Sequence, residues 1–268
     1  MSEDVVLNVD DGVAVITFNR AGELNTFNQG MIEGLGAAYR RCDEDDDIKV
    51  VVVTGAGRAF CAGADLSSGE EALGTPGDLK LSSCPLSFQA WDIRKPVIAA
   101  CNGHAIGVGL GIALQCDMRV LANEGKYAVM QVRRGVVADF AVEYILPKMI
   151  GFERAFEMIV GGVTLTGEQA KEWGLASRAC ASADVLDTAL ELARDMVVNC
   201  SPLVMGLHKR MLWQGQENAL QQMVATETRA LHHTMGGPDA LEGGISWLEK
   251  RQPQWRSRVG RDWPDWLS

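Results

Sequence analysis

The chain lacks any run approaching the roughly 18 uncharged apolar residues that a membrane-spanning helix needs. Its opening residues, Met1-Ser2-Glu3-Asp4, are acidic and carry no signal-peptide pattern. There is no Cys-x-x-Cys pair; the 7 cysteines are scattered and odd in number. They predict reduced thiols and a cytoplasmic location, with no disulfide frame and no metal site. Positive charge is scarce: 25 Lys and Arg against 35 Asp and Glu leave a net charge of −10. That balance argues against non-specific nucleic-acid binding and disfavours an anionic ligand unless local basic side chains offset it. Three catalytic signatures are missing as well: the Gly-Lys-Ser/Thr of a P-loop, a Gly-x-Ser-x-Gly elbow and a His-Glu-x-x-His zinc helix.

What is present is an ordinary globular balance, 47% apolar and 22% charged over 268 residues. Val13 to Phe18 reads as a strand, and Asn28 to Cys42 follows with helical spacing. Val50 to Thr54 then leads into a glycine-rich turn and a polar segment, Ser67 to Ser83, expected to be a mobile surface loop. Val97 to Cys101, a second glycine-rich turn and a helix from Val108 to about Cys116 repeat the scheme. Tyr127 to Val129, a turn at Arg133 to Ala138 and a helix from Phe140 repeat it again. A strand, turn and helix recurring about every 40 residues suggest stacked ββα turns, each burying its apolar side on the next. After Gly151 the pattern becomes helical: Phe152 to Gly161, Glu168 to Trp173, Asp184 to Asn199, Pro202 to Trp213, Glu217 to His233 and Pro238 to Lys250. A short strand is expected at Ala176 to Cys180. Asp184 stands where an N-cap belongs and Pro202 where a first-turn proline belongs. The expected division is a core with the active site over residues 1–200 and a helical region over 201–268.

Gly107-Val108-Gly109-Leu110-Gly111 follows a strand and opens a helix, but its Gly-x-Gly-x-Gly spacing is not the dinucleotide fingerprint. The glycines allow close helix packing. The same turn also offers unpaired N–H groups and a partial positive charge, both suited to an enolate oxygen. The N–H of Val108 sits there, and the N–H of Ala64 in the earlier turn, Cys61-Ala62-Gly63-Ala64-Asp65, completes a two-donor oxyanion hole.

These residues resemble the crotonase (enoyl-CoA hydratase/isomerase) superfamily along nearly the whole chain. Asn19-Arg20 with Leu24-Asn25, Ala62-Gly63-Ala64-Asp65-Leu66 and Lys95-Pro96-Val97-Ile98-Ala99-Ala100-Cys101-Asn102-Gly103 are similar to its early motifs. Cys116-Asp117-Met118-Arg119, Leu146-Pro147-Lys148-Met149-Ile150-Gly151, Ala170-x-x-x-Gly174-Leu175 and Leu248-Glu249-Lys250-Arg251-x-Pro253 are similar to later ones. The resemblance implies an α/β fold, a spiral of ββα repeats with a helical C-terminal trimerisation region, assembled as a homotrimer or a dimer of trimers. It implies an acyl-CoA thioester substrate, with coenzyme A part of that substrate and no separate cofactor. The thioester carbonyl would lie between the N–H groups of Ala64 and Val108, and the carbonyl of Ala62 would take the adenine amino group. Arg20 and Lys209 are the candidates for the CoA phosphates.

Two positions depart from the pattern. Where hydratases of the family carry glutamates, this chain has Gly111 and Gln131. Gln131 can orient water or substrate but cannot take a proton at neutral pH. Asp139 lies where dienoyl-CoA isomerases carry a catalytic aspartate, and also where an N-cap for the helix from Phe140 would sit. The resemblance therefore implies an acyl-CoA enzyme using Asp139 for proton transfer with Gln131 positioning, and favours isomerase or lyase chemistry. The empty position at Gly111 suggests room for a bulkier or branched acyl group. A non-catalytic acyl-CoA-binding paralogue and a residual enoyl-CoA hydratase are the alternatives. RNA binding of the kind shown by one family relative is disfavoured, because the corresponding helix runs into Asp43-Glu44-Asp45-Asp46-Asp47. Glu143 reads as a helix-N-terminal acid, Asp65 as a cap, Asp117 as ordering a buried turn, His104 as structural and Cys61 as a buried small residue. The tryptophans at 247, 255, 263 and 266 suggest a tail packing on a neighbouring subunit.

Overall fold

The computed structural model describes residues 3–67 and 82–267. β1 (Val5–Asp10) and β2 (Val13–Phe18) form an antiparallel hairpin. Its turn residues Asp11 and Gly12 lie at φ 45° and 80°, which matches the right-handed strand twist. β3 (Val50–Gly55), β5 (Val97–Cys101), β7 (Met118–Ala122) and β10 (Arg178–Cys180) add in parallel, in the order β1-β2-β3-β5-β7-β10. β3 shows why Val50 to Val53 has no polar face. Val51 and Val53 pack with Met31, Leu35 and Tyr39 of the Gln29–Glu44 helix. Val50 and Val52 pack with Val185, Ala189 and Ala193 of the Val185–Asn199 helix. A period of two on a sheet covered on both sides yields a continuous apolar run.

A second, smaller sheet runs β4 (Ala59–Cys61), β6 (His104–Ile106), β8 (Tyr127–Ala128) and β9 (Thr164–Leu165). β3, β5 and β7 are each followed by a strand of this sheet, and the second and third of these pairs lead to the Val108–Gln115 and Val142–Ile150 helices. This is the α/β spiral of ββα units that the resemblance implied. The repeat is uneven, since the three large-sheet strands begin at residues 50, 97 and 118. The expected loop from Ser67 to Ser83 falls largely on residues 68–81, outside the described residues.

Caps follow side-chain chemistry at several helix starts. Asn28 accepts from the Met31 N–H, Thr166 and Gln169 form a reciprocal capping box, and Ser201 caps the helix that opens at Pro202. Asp184 occupies the expected N-cap position, but its side chain makes no capping bond. The helix expected from Phe140 begins at Val142 instead. Phe140 and Ala141 lie at φ 54° and 57°, a left-handed conformation that cannot continue a right-handed helix.

Beyond residue 200 the chain forms helices at Pro202–Gln214, Leu220–Thr234 and Pro238–Glu249. They enclose a third core of Leu203, Leu207, Met211, Ala230 and Leu267, with Trp263 and Trp266 packed against it. Arg94 stacks over Trp263 and Arg229 over Trp266, while the Trp255 indole N–H donates to the Val198 carbonyl. Three of the four tail tryptophans thus make contacts within this chain, while Trp247 is 78% exposed.

Candidate active site

β4 and β6 are parallel neighbours, Ala59 beside His104 and Cys61 beside Ala105. The two glycine-rich turns that follow them therefore lie side by side. In the first, the Phe27 N–H donates to the Gly63 carbonyl (2.8 Å) and the Asp65 N–H to the Phe27 carbonyl (3.0 Å). Both bonds flank Ala64, whose own N–H has no acceptor among the described residues. In the second, Gly107 turns at φ 55° and ψ −118° into the Val108–Gln115 helix. The Gly111 N–H closes the first helical turn on the Gly107 carbonyl (3.0 Å), and the Val108 N–H has no acceptor among the described residues. The turns meet so closely that a side chain at Gly109 would strike the Cys61 carbonyl. Two unpaired N–H groups, one at a helix N-terminus, can stabilise charge developing on a carbonyl oxygen.

Gln131 and Asp139 stand next to this helix start. The Gln131 carboxamide packs on Gly107, 3.6–3.7 Å from where a Cβ would be. Its Nε2 donates to Asp139 Oδ1 (3.0 Å), and its Oε1 is buried with no partner among the described residues. Burial pushes the Asp139 pKa up; the Gln131 bond opposes this, and the charge of Glu143 adds to it. The N-cap reading of Asp139 does not hold. The helix N-cap is Ala141, with no side-chain capping bond, and the Asp139 carboxylate is turned to Gln131.

Gly111 leaves no room for a bulkier acyl group. A Cβ there would lie 2.8 Å from Phe140 Cβ and 3.3 Å from its Cγ, so that ring already fills the position. Lys209, the other candidate for the phosphates, is buried at 6% exposure and already has partners in this structure. Its ammonium donates to Asp117 Oδ2 (2.8 Å) and to the carbonyls of Ala90 (2.7 Å) and Lys95 (3.0 Å). Asp117 also accepts from the Val97 N–H (2.7 Å) and the Trp213 indole (2.9 Å). Arg20 reaches the first turn, but its guanidinium is committed to Asp65 Oδ2 (2.8 Å) and the Thr26 carbonyl. The Ser67 N–H and then Arg20 hold the Asp65 carboxyl down at about 2. The Ala62 N–H donates to the Leu24 carbonyl (3.1 Å), while its own carbonyl accepts no hydrogen bond among the described residues.

His104 accepts the Lys126 N–H at Nδ1 (3.1 Å), and burial, Lys126 and Arg58 lower its pKa. Burial pushes the Cys61 thiol up to about 12, so it is no nucleophile. Among the described residues no three His, Cys, Asp or Glu side chains are placed to hold a metal ion, and no helix is long and apolar enough to cross a membrane. An apolar hollow of about 850 Å³, lined by Met118, Met149, Met196, Met205 and Trp213, lies between the core and the Pro202–Gln214 helix and includes neither turn.

Sequence reasoning missed Phe27 and Phe140. The first holds the Ala64 turn through its backbone and the second fills the space at Gly111. No local signal pairs either with its contact, because both contacts join segments distant in the chain.

The family model for enoyl-CoA hydratase/isomerase matches residues 8–258. An enoyl-CoA hydratase of Alternaria alternata is 34% identical over 251 residues, covering 93% of this chain and 84% of that protein. The 1,2-epoxyphenylacetyl-CoA isomerase of Escherichia coli K12 is 32% identical over 263 residues, covering 96% of this chain and all 100% of the relative. The crystal structure of a probable enoyl-CoA hydratase/isomerase from Mycobacterium abscessus has a TM-score of 0.91 and 39% identity, covering 94% of this chain and 98% of that one.

Proposed function

Since the chain belongs to the enoyl-CoA hydratase/isomerase family of the crotonase superfamily, we propose that it is an acyl-CoA isomerase or lyase that works through a thioester enolate. The thioester carbonyl binds between the N–H groups of Ala64 and Val108, the Ala62 carbonyl takes the adenine amino group, and coenzyme A enters only as part of the substrate. The observation that carries this reading is a pair of unpaired N–H groups in adjoining turns, the second beside Gln131, which holds the one carboxylate, Asp139, while positions 111 and 131 hold none.

One carboxylate suffices for a double-bond shift. With a 3-enoyl thioester, the Asp139 carboxylate takes a proton from C2. The C–H electrons form the enolate, whose oxygen charge rests on the two N–H groups. The enolate then collapses as Asp139 returns the proton to C4, moving the double bond from C3–C4 to C2–C3. No water is consumed. Hydration needs a base for water and an acid for carbon at once, which suits two groups better than one. Each N–H donor is worth about 3–4 kcal/mol, so the hole supplies the larger shared part of the rate. One relative is named as an isomerase of a CoA thioester, which supports isomerisation as a reaction class.

A homotrimer or a dimer of trimers fits the apolar groups left uncovered on the C-terminal helices, among them Leu212 at 73%, Leu220 at 72% and Leu248 at 72% exposure. A cytoplasmic location fits the 7 free cysteines. Replacing Asp139 with Asn and assaying a panel of 2-enoyl-, 3-enoyl- and dienoyl-CoA esters tests the mechanism. A loss of at least about 100-fold in kcat, within the range of general acid–base catalysis, is expected; unchanged turnover removes Asp139 from it. Tight binding of the esters with no turnover by the wild type identifies a binding protein instead.

A further inference from the structure

Phe140 joins three parts of the site that the sequence keeps apart. Its Cβ and ring fill the volume beside Gly111, in the helix that presents the Val108 N–H. Its ring meets Phe27 edge-on, with centroids 5.9 Å apart and planes at 80°. Phe27 in turn flanks Ala64 with two backbone hydrogen bonds. Phe140 also directly follows Asp139 in the chain. It is 1% exposed and sits at φ 54°, a conformation that residues with a Cβ disfavour, and its N–H is anchored on the Ser83 carbonyl (2.7 Å). A disfavoured backbone kept by tight packing marks a position the surroundings over-determine.

We propose that Phe140 is a positioning residue that, wedged between Gly111 and Phe27, sets the Asp139 carboxyl against both oxyanion turns and keeps water from it. This rests on Asp139 being the proton-transfer group. Glycine at 111 and phenylalanine at 140 are then one device, because any side chain at 111 displaces the ring. The groups facing Asp139 are Gln131, which donates to it, Glu143, and the thiols of Cys61 and Cys84, which feel its charge. On this proposal, removing the ring admits water, so that the carboxyl titrates at lower pH and loses its fixed aim.

The test uses the full chain with 3-hexenoyl-CoA, following the conjugated product by absorbance. In Phe140→Gly, which suits the positive φ, kcat should fall at least about tenfold with KM within about twofold. The acid limb of the pH profile should also move to lower pH. Phe140→Leu, keeping most of the volume, should stay within about threefold of wild type. Gly111→Ala, which retains the ring but displaces it, should resemble Phe140→Gly, and the double variant should lose no more than either single change. A lower rate with an unmoved acid limb, or additive losses in the double variant, overturns the proposal.

Infrared titration of the carboxyl band that disappears in Asp139→Asn gives a second reading independent of turnover. If the wild type does not convert 3-hexenoyl-CoA, the functional reading fails, and the band still decides the inference. Titration at lower pH in Phe140→Gly, or in Gly111→Ala should Phe140→Gly not fold, supports it; identical titration refutes it.

Discussion

Replacing Lys209 with Met should unfold this protein more readily without weakening its hold on coenzyme A. The ammonium is buried and has three acceptors, Asp117 Oδ2 at 2.8 Å and the carbonyls of Ala90 and Lys95 at 2.7 and 3.0 Å. Methionine matches the volume of the stem but leaves the partly buried Asp117 charge without its direct cationic partner and two carbonyls with one bond fewer. Removing one member of such a pair costs about 3–5 kcal/mol. For 268 residues, an unfolding entropy of roughly 0.56 kcal/mol/K at the midpoint converts that loss into a Tm lower by about 5–9 °C. Calorimetry measures the shift, with Lys171→Met as an exposed control expected to change stability by no more than about 0.5 kcal/mol. Lys209→Met combined with Asp117→Asn should recover part of the loss, because the unpaired charge is gone. Isothermal titration with butyryl-CoA completes the assay. A Tm within 1 °C of wild type together with a Kd raised tenfold or more (about 1.4 kcal/mol) would falsify the structural role and return Lys209 to the phosphates.

Position 111 offers a second test. Gly111→Glu, alone or with Gln131→Glu, should not create crotonyl-CoA hydration, because Phe140 occupies the space and overpacking costs about 1–3 kcal/mol; efficient hydration in the double variant would sink the packing argument. For Asp139, activity should fall as pH drops through a pKa above the ordinary aspartate range, and Asp139→Asn should abolish that limb. The linked stability has the opposite sense. With its folded pKa raised, Asp139 favours the fold fully below its unfolded pKa, and that contribution is lost as pH rises through the folded value. Asp139→Asn should therefore gain Tm relative to wild type at pH 8 but not at pH 4, and an equal difference at both would contradict burial as the cause. Finally, native thiol labelling at pH 8 should reach only the half-buried Cys84, Cys180 and Cys200; burial holds Cys42, Cys61 and Cys116 near 12 and raises Cys101 also. Mass spectrometry finding modified Cys61 in folded protein would contradict the closed packing of the first turn.

The elements legible in the sequence are those whose signal is local. Val50 to Val53 reads as a strand because sheet burial imposes its period within a few residues, and Asn28 and Pro202 mark helix starts by their own chemistry. β7 was hidden by Arg119, a charge in a buried strand. Its guanidinium is satisfied by the carbonyls of Leu175, Ala113 and Cys116, two of them at the end of the preceding helix. Lys209 misled for the same reason: a cation in a helical segment reads as solvated until its distant acceptors are known. The site was half legible. Glycine spacing located the two turns, whereas the contact of Phe140 with Gly111 depends on a left-handed pair of residues that no side chain there announces.

The donors of both turns are main-chain N–H groups, brought together by the pairing of β4 with β6. Ordinary codon changes at positions 64 and 108 replace a side chain and leave the donor standing; among encoded residues only proline deletes it. Under the proposed mechanism the carbonyl-polarising donors are thus shielded from point mutation, while the groups proposed to choose the reaction, at 111, 131, 139 and 140, are side chains open to exchange. A lineage built this way can change its chemistry one residue at a time and remain a thioester enzyme throughout.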